Sequence, residues 1–243
     1  MMDLWLTLGA ALVGYLLGAI SFARILAAWK SPGVDIGRQT EKIPDTDITF
    51  VMNTISATSV YTYVGKQYGC LTALLDMVKV ALPTLVARTM FPAQSYDLVV
   101  ATFGVLGHNW PVYHKFKGGR GESPIIGGLL VIDPLGLLVV NVVGAAFGIV
   151  LGSLLVMRWS GFLLLIPWEW YTTGDPARVV YVVLVLLMYV AALRSELRQY
   201  IRLKLDRTFF SQELVAGLLG MGKPLGRFMD RWSLFALLRK IRR

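Results

Sequence analysis

Between Gly107 and Gly121 the chain reads GHNWPVYHKFKGGRG, a polar, glycine-rich passage set between two strongly apolar stretches. Glycines in succession let backbone N–H groups converge on an anion, and Lys115, Lys117 and Arg120 bring positive charge to the same place. Gly118, Gly119, Arg120 and Gly121 are therefore candidate phosphate contacts at a membrane surface. A glycine turn flanked by cations is also an ordinary cytoplasmic loop, and charge and glycine alone leave both readings open. The two histidines, His108 and His114, have no carboxylate at ligand spacing beside them, so neither a metal nor any other cofactor is expected. His108 can act as a base toward a substrate hydroxyl or cap a helix end.

Two further sets of polar residues lie inside apolar sequence, where an ionisable group is costly and hence a functional candidate. Asp76 and Lys79 are three residues apart on one helical face and can pair. Alternatively Lys79 turns to a polar interior and lends charge to a phosphate site, with Asp76 orienting it. The stretch NTISATS, Asn53 to Ser59, carries Ser56, Thr58 and Ser59, whose hydroxyls either allow close helix packing or donate to phosphate oxygens. Arg24 lies near the end of its apolar run and can snorkel to the interface.

The elements that must hold these residues belong to a bilayer. The chain is 56% hydrophobic and only 16% charged, with a mean hydropathy of +0.61, outside the ordinary globular range. Apolar runs from Leu4 to Trp29, Gly69 to Met90, Leu98 to Trp110, Leu135 to Met157 and Val179 to Leu193 are the clearest candidate spans. Pro124 to Ile132, Trp159 to Trp170 and Val51 to Val64 are shorter pieces, suited to tilted spans or half-helices. No run shows the alternation of barrel strands, so the expected fold is all-α, a polytopic helical membrane bundle of five to seven transmembrane or half-membrane helices.

From Arg194 onward, twelve Lys/Arg face four Asp/Glu, so this part carries +8 of a total of +9. The other basic connections hold Lys30, Arg38 and Lys42, and Lys115, Lys117 and Arg120, whereas Phe91 to Asp97 and Tyr171 to Ala177 contain no Lys or Arg. Five crossings with the N-terminus outside would place every basic loop and the C-terminus in the cytoplasm. The first apolar run follows Asp3 without a basic leader and exceeds the length of a signal-peptide core, so it is expected to stay in the mature protein. Cys70 is alone and is read as a small buried side chain. After residue 205 a basic extension, 206–243, is expected. Within it Leu225, Phe228, Met229, Trp232, Phe235, Leu238 and Ile241 recur at helical steps, as in an amphipathic helix lying among anionic headgroups.

The passage at Gly107 resembles the G-H-x-x-P-x-x-x-x-F-x-G-G-K-G motif of the PlsY-type glycerol-3-phosphate acyltransferases, with Gly107, His108, Pro111, Phe116, Gly118, Gly119 and Gly121 matching. Tyr15 to Phe22, Gly33 to Ile36, Gly65 to Gly69 and the Leu75-Asp76-Met77-Val78-Lys79 stretch are similar to further family segments in the same order, so the likeness runs from about Gly14 to Arg202. The resemblance implies an acyltransferase domain over 1–205 in a bacterial plasma membrane. Its substrates would be acyl phosphate and glycerol 3-phosphate, its other partners membrane lipids and not nucleic acid, and its product lysophosphatidate for phospholipid biosynthesis. It further implies that Lys79, His108 and the Gly118–Gly121 loop serve the phosphate site.

The chain departs from that pattern in several places. The family's G-S-G-N-x-G-A-T-N-x-x-R motif falls on Val51 to Thr62, keeping Ala57 and Thr58 but placing Met52 and Thr62 where the family has serine and arginine. Arg120 stands for a lysine, and the family's late R-H-x-x-N pattern has no clean counterpart after Leu193. These losses raise a second reading, a non-catalytic homologue that binds a lipid phosphate or a partner. A small transporter fits the hydropathy as well, but no inverted repeat is visible.

Overall fold

The computed structural model describes residues 2–42, 49–205 and 223–234. In order these form α1 (Leu4–Gly18), α2 (Phe22–Lys30), β1 (Gln39–Lys42), β2 (Thr49–Met52), α3 (Ala57–Tyr63), α4 (Lys66–Met90), α5 (Tyr96–Asn109), a 3-10 turn (Val112–His114), α6 (Glu122–Ile132), α7 (Pro134–Leu151), α8 (Leu154–Thr173), α9 (Pro176–Leu205) and α10 (Lys223–Trp232). The chain is thus mostly helical. Four helical stretches among the described residues are long and apolar enough to cross a membrane: Leu4–Lys30, Lys66–Met90, Pro134–Leu151 and Pro176–Arg202.

The chain divides into two compact units. The first takes in Met1–Gln39, Met52–Pro134 and Gly174–Arg194, and contains every candidate site residue; Thr40–Val51, Leu135–Thr173 and the described residues from Ser195 onward form the second. In the first unit α5 lies against α1 and α4, and α6 against α4. Small residues make this possible. A Cβ on Gly18 would stand 2.1 Å from the Gly104 carbonyl oxygen and one on Gly14 2.5 Å from that of Val100, so α1 meets α5 backbone to backbone. The outward face of α1 stays apolar, with Leu8, Leu12 and Val13 about half exposed. A helix that turns glycine inward and leucine outward suits hydrocarbon, not water.

Several boundaries differ from those the apolar runs suggest. The run from Leu4 breaks at Ala19–Ser21, with Ser21 at the N-cap position of a second helix and its hydroxyl accepting from Arg24 instead of from the helix backbone. The Leu135–Met157 run is two helices, reversed at Gly152, whose φ of 61° is left-handed. In the second unit the resulting α7–α8 hairpin is tied by the Ser160 hydroxyl donating to the Gly144 carbonyl at 3.2 Å, and Trp159 to Trp170 lies wholly within α8. The Leu98–Trp110 run becomes a 14-residue helix, α5, shorter than the roughly 20 residues of a full crossing.

Helix is not the sole regular structure, as the hydropathy pattern suggested: β1 and β2 pair as a two-stranded sheet. The stretch Val51 to Val64 does not form a span. It contributes the end of β2, whose Phe50 and Met52 are buried while Thr49 is exposed, and then the seven-residue α3. Its β-branched and hydroxyl residues favour strand and cap geometry over a long helix. Cys70 is exposed, contrary to the buried reading, because the neighbouring Gly69 takes the inward position against the Tyr61 backbone. Of the expected C-terminal helix, α10 is described, with Phe228 and Trp232 exposed and Met229 buried; Phe235, Leu238 and Ile241 lie outside the described residues.

Candidate functional site

Three pieces of backbone bring together a buried polar cluster in the first unit. Helical spacing puts Asp76 and Lys79 on the inward face of α4, where they are 2% and 8% exposed. The Lys79 ammonium lies 2.7 Å from Asp76 Oδ1. Its second partner is the Ile20 carbonyl, 2.7 Å away. That carbonyl sits in the break between α1 and α2, where no helical ladder runs on. The third partner is His108 Nδ1 at 3.0 Å, from the last turn of α5. Two of these contacts, to Ile20 and His108, have hydrogen-bond geometry, while Asp76 Oδ1 is an ion-pair partner that makes no hydrogen bond.

Two neighbours of His108 Nδ1 pull on its tautomer: the Lys79 ammonium at 3.0 Å calls for an acceptor and so puts the ring proton on Nε2, whereas Asp76 Oδ1 at 3.7 Å favours a donor. Nε2 points at Gly119, where a Cβ would stand only 2.1 Å from it. The Gly119 N–H donates to the His108 carbonyl at 3.1 Å, and a Cβ on Gly118 would lie 2.2 Å from that same carbonyl oxygen. The glycine pair is therefore demanded by close approach to the end of α5. Asp76, Lys79, His108, Gly118, Gly119 and Ser21 share one crevice of about 10 Å³, room for about one water.

The other candidate residues lie elsewhere in the unit. Arg120 is buried, and its guanidinium turns to Thr54 Oγ1 at 3.2 Å and to the Met52 sulfur at 3.6 Å. Gly121, with φ of 92°, caps the start of α6 against the Asn109 side chain. Ser56 is the N-cap residue of α3. The Ser59 hydroxyl is used locally, accepting from the Ser56 N–H at 2.9 Å and donating to its carbonyl at 2.8 Å. Thr58 is half-buried in the first turn of α3, and its carbonyl accepts from the exposed Thr62 hydroxyl at 2.9 Å. Thus Lys79, His108, Gly118 and Gly119 come together. Arg120 and the hydroxyls of α3 form a neighbouring corner, tied to the glycine loop where the Ile55 N–H donates to the Gly118 carbonyl at 3.1 Å.

Ile20, Ser21 and Thr54 belong to this surround and were not singled out from the sequence. A serine three residues after Gly18, inside an apolar run, is the signal that marks the α1–α2 break. Arg24 does more than reach the interface: it donates to the Lys117 carbonyl at 2.7 Å and to Ser21 Oγ at 3.3 Å, holding the basic loop against α2. Partial burial, and then the nearby Arg24 guanidinium, hold the His114 imidazole below its usual range. Near neutral pH His114 therefore adds no positive charge to that of Lys115, Lys117 and Arg120. Lys115 and Phe116 both adopt left-handed backbone, at φ of 54° and 58°, a strained conformation for non-glycine residues.

Comparison with known proteins places this arrangement in a family context. The sequence pattern of the family described as glycerol-3-phosphate acyltransferase matches residues 8–203. Glycerol-3-phosphate acyltransferase of Desulfotalea psychrophila is 32% identical over 183 residues, covering 65% of this chain and 86% of that protein. The Myxococcus xanthus protein of the same name is 36% identical over 130 residues, covering 53% and 62%. Glycerol-3-phosphate acyltransferase 5 of Dehalococcoides mccartyi is 33% identical over 139 residues, covering 57% and 54%. The chain thus spans about half to two thirds of the length of some of these relatives. Crystal structures of PlsY (YgiH), an integral membrane glycerol 3-phosphate acyltransferase, share the fold. The glycerol 3-phosphate form aligns with a TM-score of 0.65 at 22% identity, over 86% of this chain and 98% of that one. The lysophosphatidic acid form gives 0.66 at 22%, over 88% and 98%.

Proposed function

Since the chain belongs to the glycerol-3-phosphate acyltransferase family, we propose that it transfers a fatty acyl group from acyl phosphate to the 1-hydroxyl of glycerol 3-phosphate, forming lysophosphatidate and inorganic phosphate. The observation that carries this reading is the buried Lys79 ammonium, ion-paired with Asp76 and hydrogen-bonded to the Ile20 carbonyl and His108. Lys79 then acts through its charge and through His108, keeping Nε2–H aimed into the Gly118–Gly119 loop. Such a preorganised donor beside a buried cation stabilises negative charge as it develops.

The reaction needs no protein nucleophile. The glycerol hydroxyl oxygen attacks the acyl carbonyl carbon, a C–O bond forms, and the bond from that carbon to the phosphate oxygen breaks. The hydroxyl proton ends on the departing phosphate. The chain's part is to position two phosphate-bearing substrates and to offset their charge. His108 Nε2–H suits the phosphate or carbonyl oxygens. Arg120 with Ser56, Thr58 and Ser59 forms the adjoining wall, and Arg24, Lys115 and Lys117 draw anions to the mouth. A crevice of about 10 Å³ is smaller than a phosphate, so binding has to move the glycine loop or the connecting backbone at Ile55.

The distribution of Lys and Arg supports a bacterial plasma membrane topology with this mouth and the C-terminus in the cytoplasm, and residues 206–243 as a separate basic extension on the headgroup layer. Purified protein should release phosphate from acyl phosphate only when glycerol 3-phosphate is supplied, and His108→Ala should lower the rate about 100-fold. Release no greater than that of an empty-membrane control would sink the catalytic reading in favour of a homologue that binds lipid phosphate without turning it over.

A further inference from the structure

Toward the other end of the first unit, an apolar groove adjoins a polar pocket. The groove, about 500 Å³ in volume, runs between α1, α4 and α5 along Trp5, Gly9, Val13, Pro83, Val86 and Val100. Trp5 is 78% exposed and Val13 50%, so its rim faces outward from two candidate spans. The polar pocket, about 280 Å³, is lined by Arg88, Arg178, Asp97 and Asp175, and Phe91 lines both spaces. Arg88 stands nine residues beyond Lys79 on α4, roughly 14 Å along the helix, so the polar pocket is separate from the crevice, while the groove runs from it back to Leu17 and Pro83, about one turn from Lys79.

The four charges are held in place by backbone. Arg88 donates to the Val131 carbonyl and, at 3.2 Å, to that of Ile132. Arg178 donates to the Ile132 carbonyl at 3.4 Å. Asp97 Oδ1 accepts from the Leu98 N–H at 2.9 Å and Asp175 Oδ1 from the Ala177 N–H at 2.9 Å. Two guanidiniums and two carboxylates thus share a small pocket whose formal charge sums to zero. A guanidinium pair suits a phosphodiester, and a carboxylate pair suits a primary ammonium, which can donate three hydrogen bonds. A quaternary ammonium has no such donors and favours aromatic faces instead.

We propose that the groove and this pocket together bind one zwitterionic phospholipid with a primary-amine headgroup, its acyl chain along α1 and α4, its phosphate against Arg88 and Arg178, and its ammonium against Asp97 and Asp175. The proposal stands apart from the catalytic reading and survives if that reading fails.

The test is native mass spectrometry of the purified full chain in detergent, titrated with dioleoyl phosphatidylethanolamine, phosphatidylglycerol or phosphatidylcholine. One phosphatidylethanolamine should be retained per chain, with the other two retained at least about fivefold less. Asp97→Asn keeps the local hydrogen-bond acceptor and removes the charge, so it should cut phosphatidylethanolamine retention about tenfold and shift preference to phosphatidylglycerol. A Cβ on Gly9 meets nothing within 4 Å, so Gly9→Trp fills the groove and should abolish retention while glycerol 3-phosphate-dependent phosphate release persists. Equal retention of all three lipids, or retention unchanged in both variants, overturns the proposal. So does a Gly9→Trp chain that keeps the lipid but shows a raised KM for acyl phosphate, since the groove would then belong to the acyl donor.

Discussion

Lys79 and Arg120 are both buried cations in one compact unit, yet they are held in different ways. Lys79 projects from the middle of a 25-residue helix and meets a carboxylate as its ion-pair partner and a carbonyl and an imidazole as hydrogen-bond partners. Arg120 projects from the loop before α6 and turns to a threonine hydroxyl and a methionine sulfur, the latter a weak acceptor. Regular helices on both sides enforce the first arrangement. The second is built on the end of a strand and a loop, where sequence changes are absorbed more readily. Three of the chain's departures from the expected family pattern, Met52, Thr62 and Arg120 itself, fall on the second region, whereas Asp76, Lys79 and His108 match it.

The contrast predicts a graded set of outcomes. Lys79→Met should be the most damaging, removing turnover by about 100-fold or more and costing about 3 kcal/mol of stability, because it strands the Asp76 carboxylate in a buried site. Pairing it with Asp76→Leu should restore the thermal midpoint in detergent but not phosphate release; recovery of both would show that the cluster is merely structural. Next comes Gly119→Ala, whose methyl has to displace the His108 ring. Turnover should fall roughly tenfold to 100-fold, with a smaller loss of thermal stability than in Lys79→Met.

Arg120→Lys should change KM for glycerol 3-phosphate by about threefold, under 1 kcal/mol, and the combination with Met52→Ser should lower that KM relative to Arg120→Lys alone. An effect as large as that of Lys79→Met would erase the distinction between the two regions. Smallest is Lys115→Gly, which relieves a left-handed backbone and should raise stability by up to about 1 kcal/mol, with kcat little changed and only a modest, salt-dependent rise in KM from the lost charge. A large rate change there would make the strained turn part of catalysis.

Much of this was legible before any coordinates. The polar passage after Gly107 and the i, i+3 pairing of Asp76 and Lys79 are properties of local spacing. The break at Ala19–Ser21 was not legible, since hydropathy continues smoothly through it and only Ser21 hints at a cap. The turn at Gly152 was hidden for the same reason, as one glycine in a long apolar run is compatible with an uninterrupted helix. The hydroxyls of α3 looked alike in sequence; the fold separates Ser59, consumed by its own backbone, from Ser56 at the helix start.

By itself the sequence determined that the chain is a helical membrane protein of an acyltransferase family, because run length, hydropathy and motif order are local quantities. The tertiary structure alone decided that the Lys79 ammonium meets the Ile20 carbonyl and His108 and that His108 presents Nε2 to the glycine loop. Those contacts join residues 59 and 29 positions apart, and they exist because glycines let α1 and α5 approach closely enough to bring a broken helix, a lysine and a histidine into hydrogen-bond range.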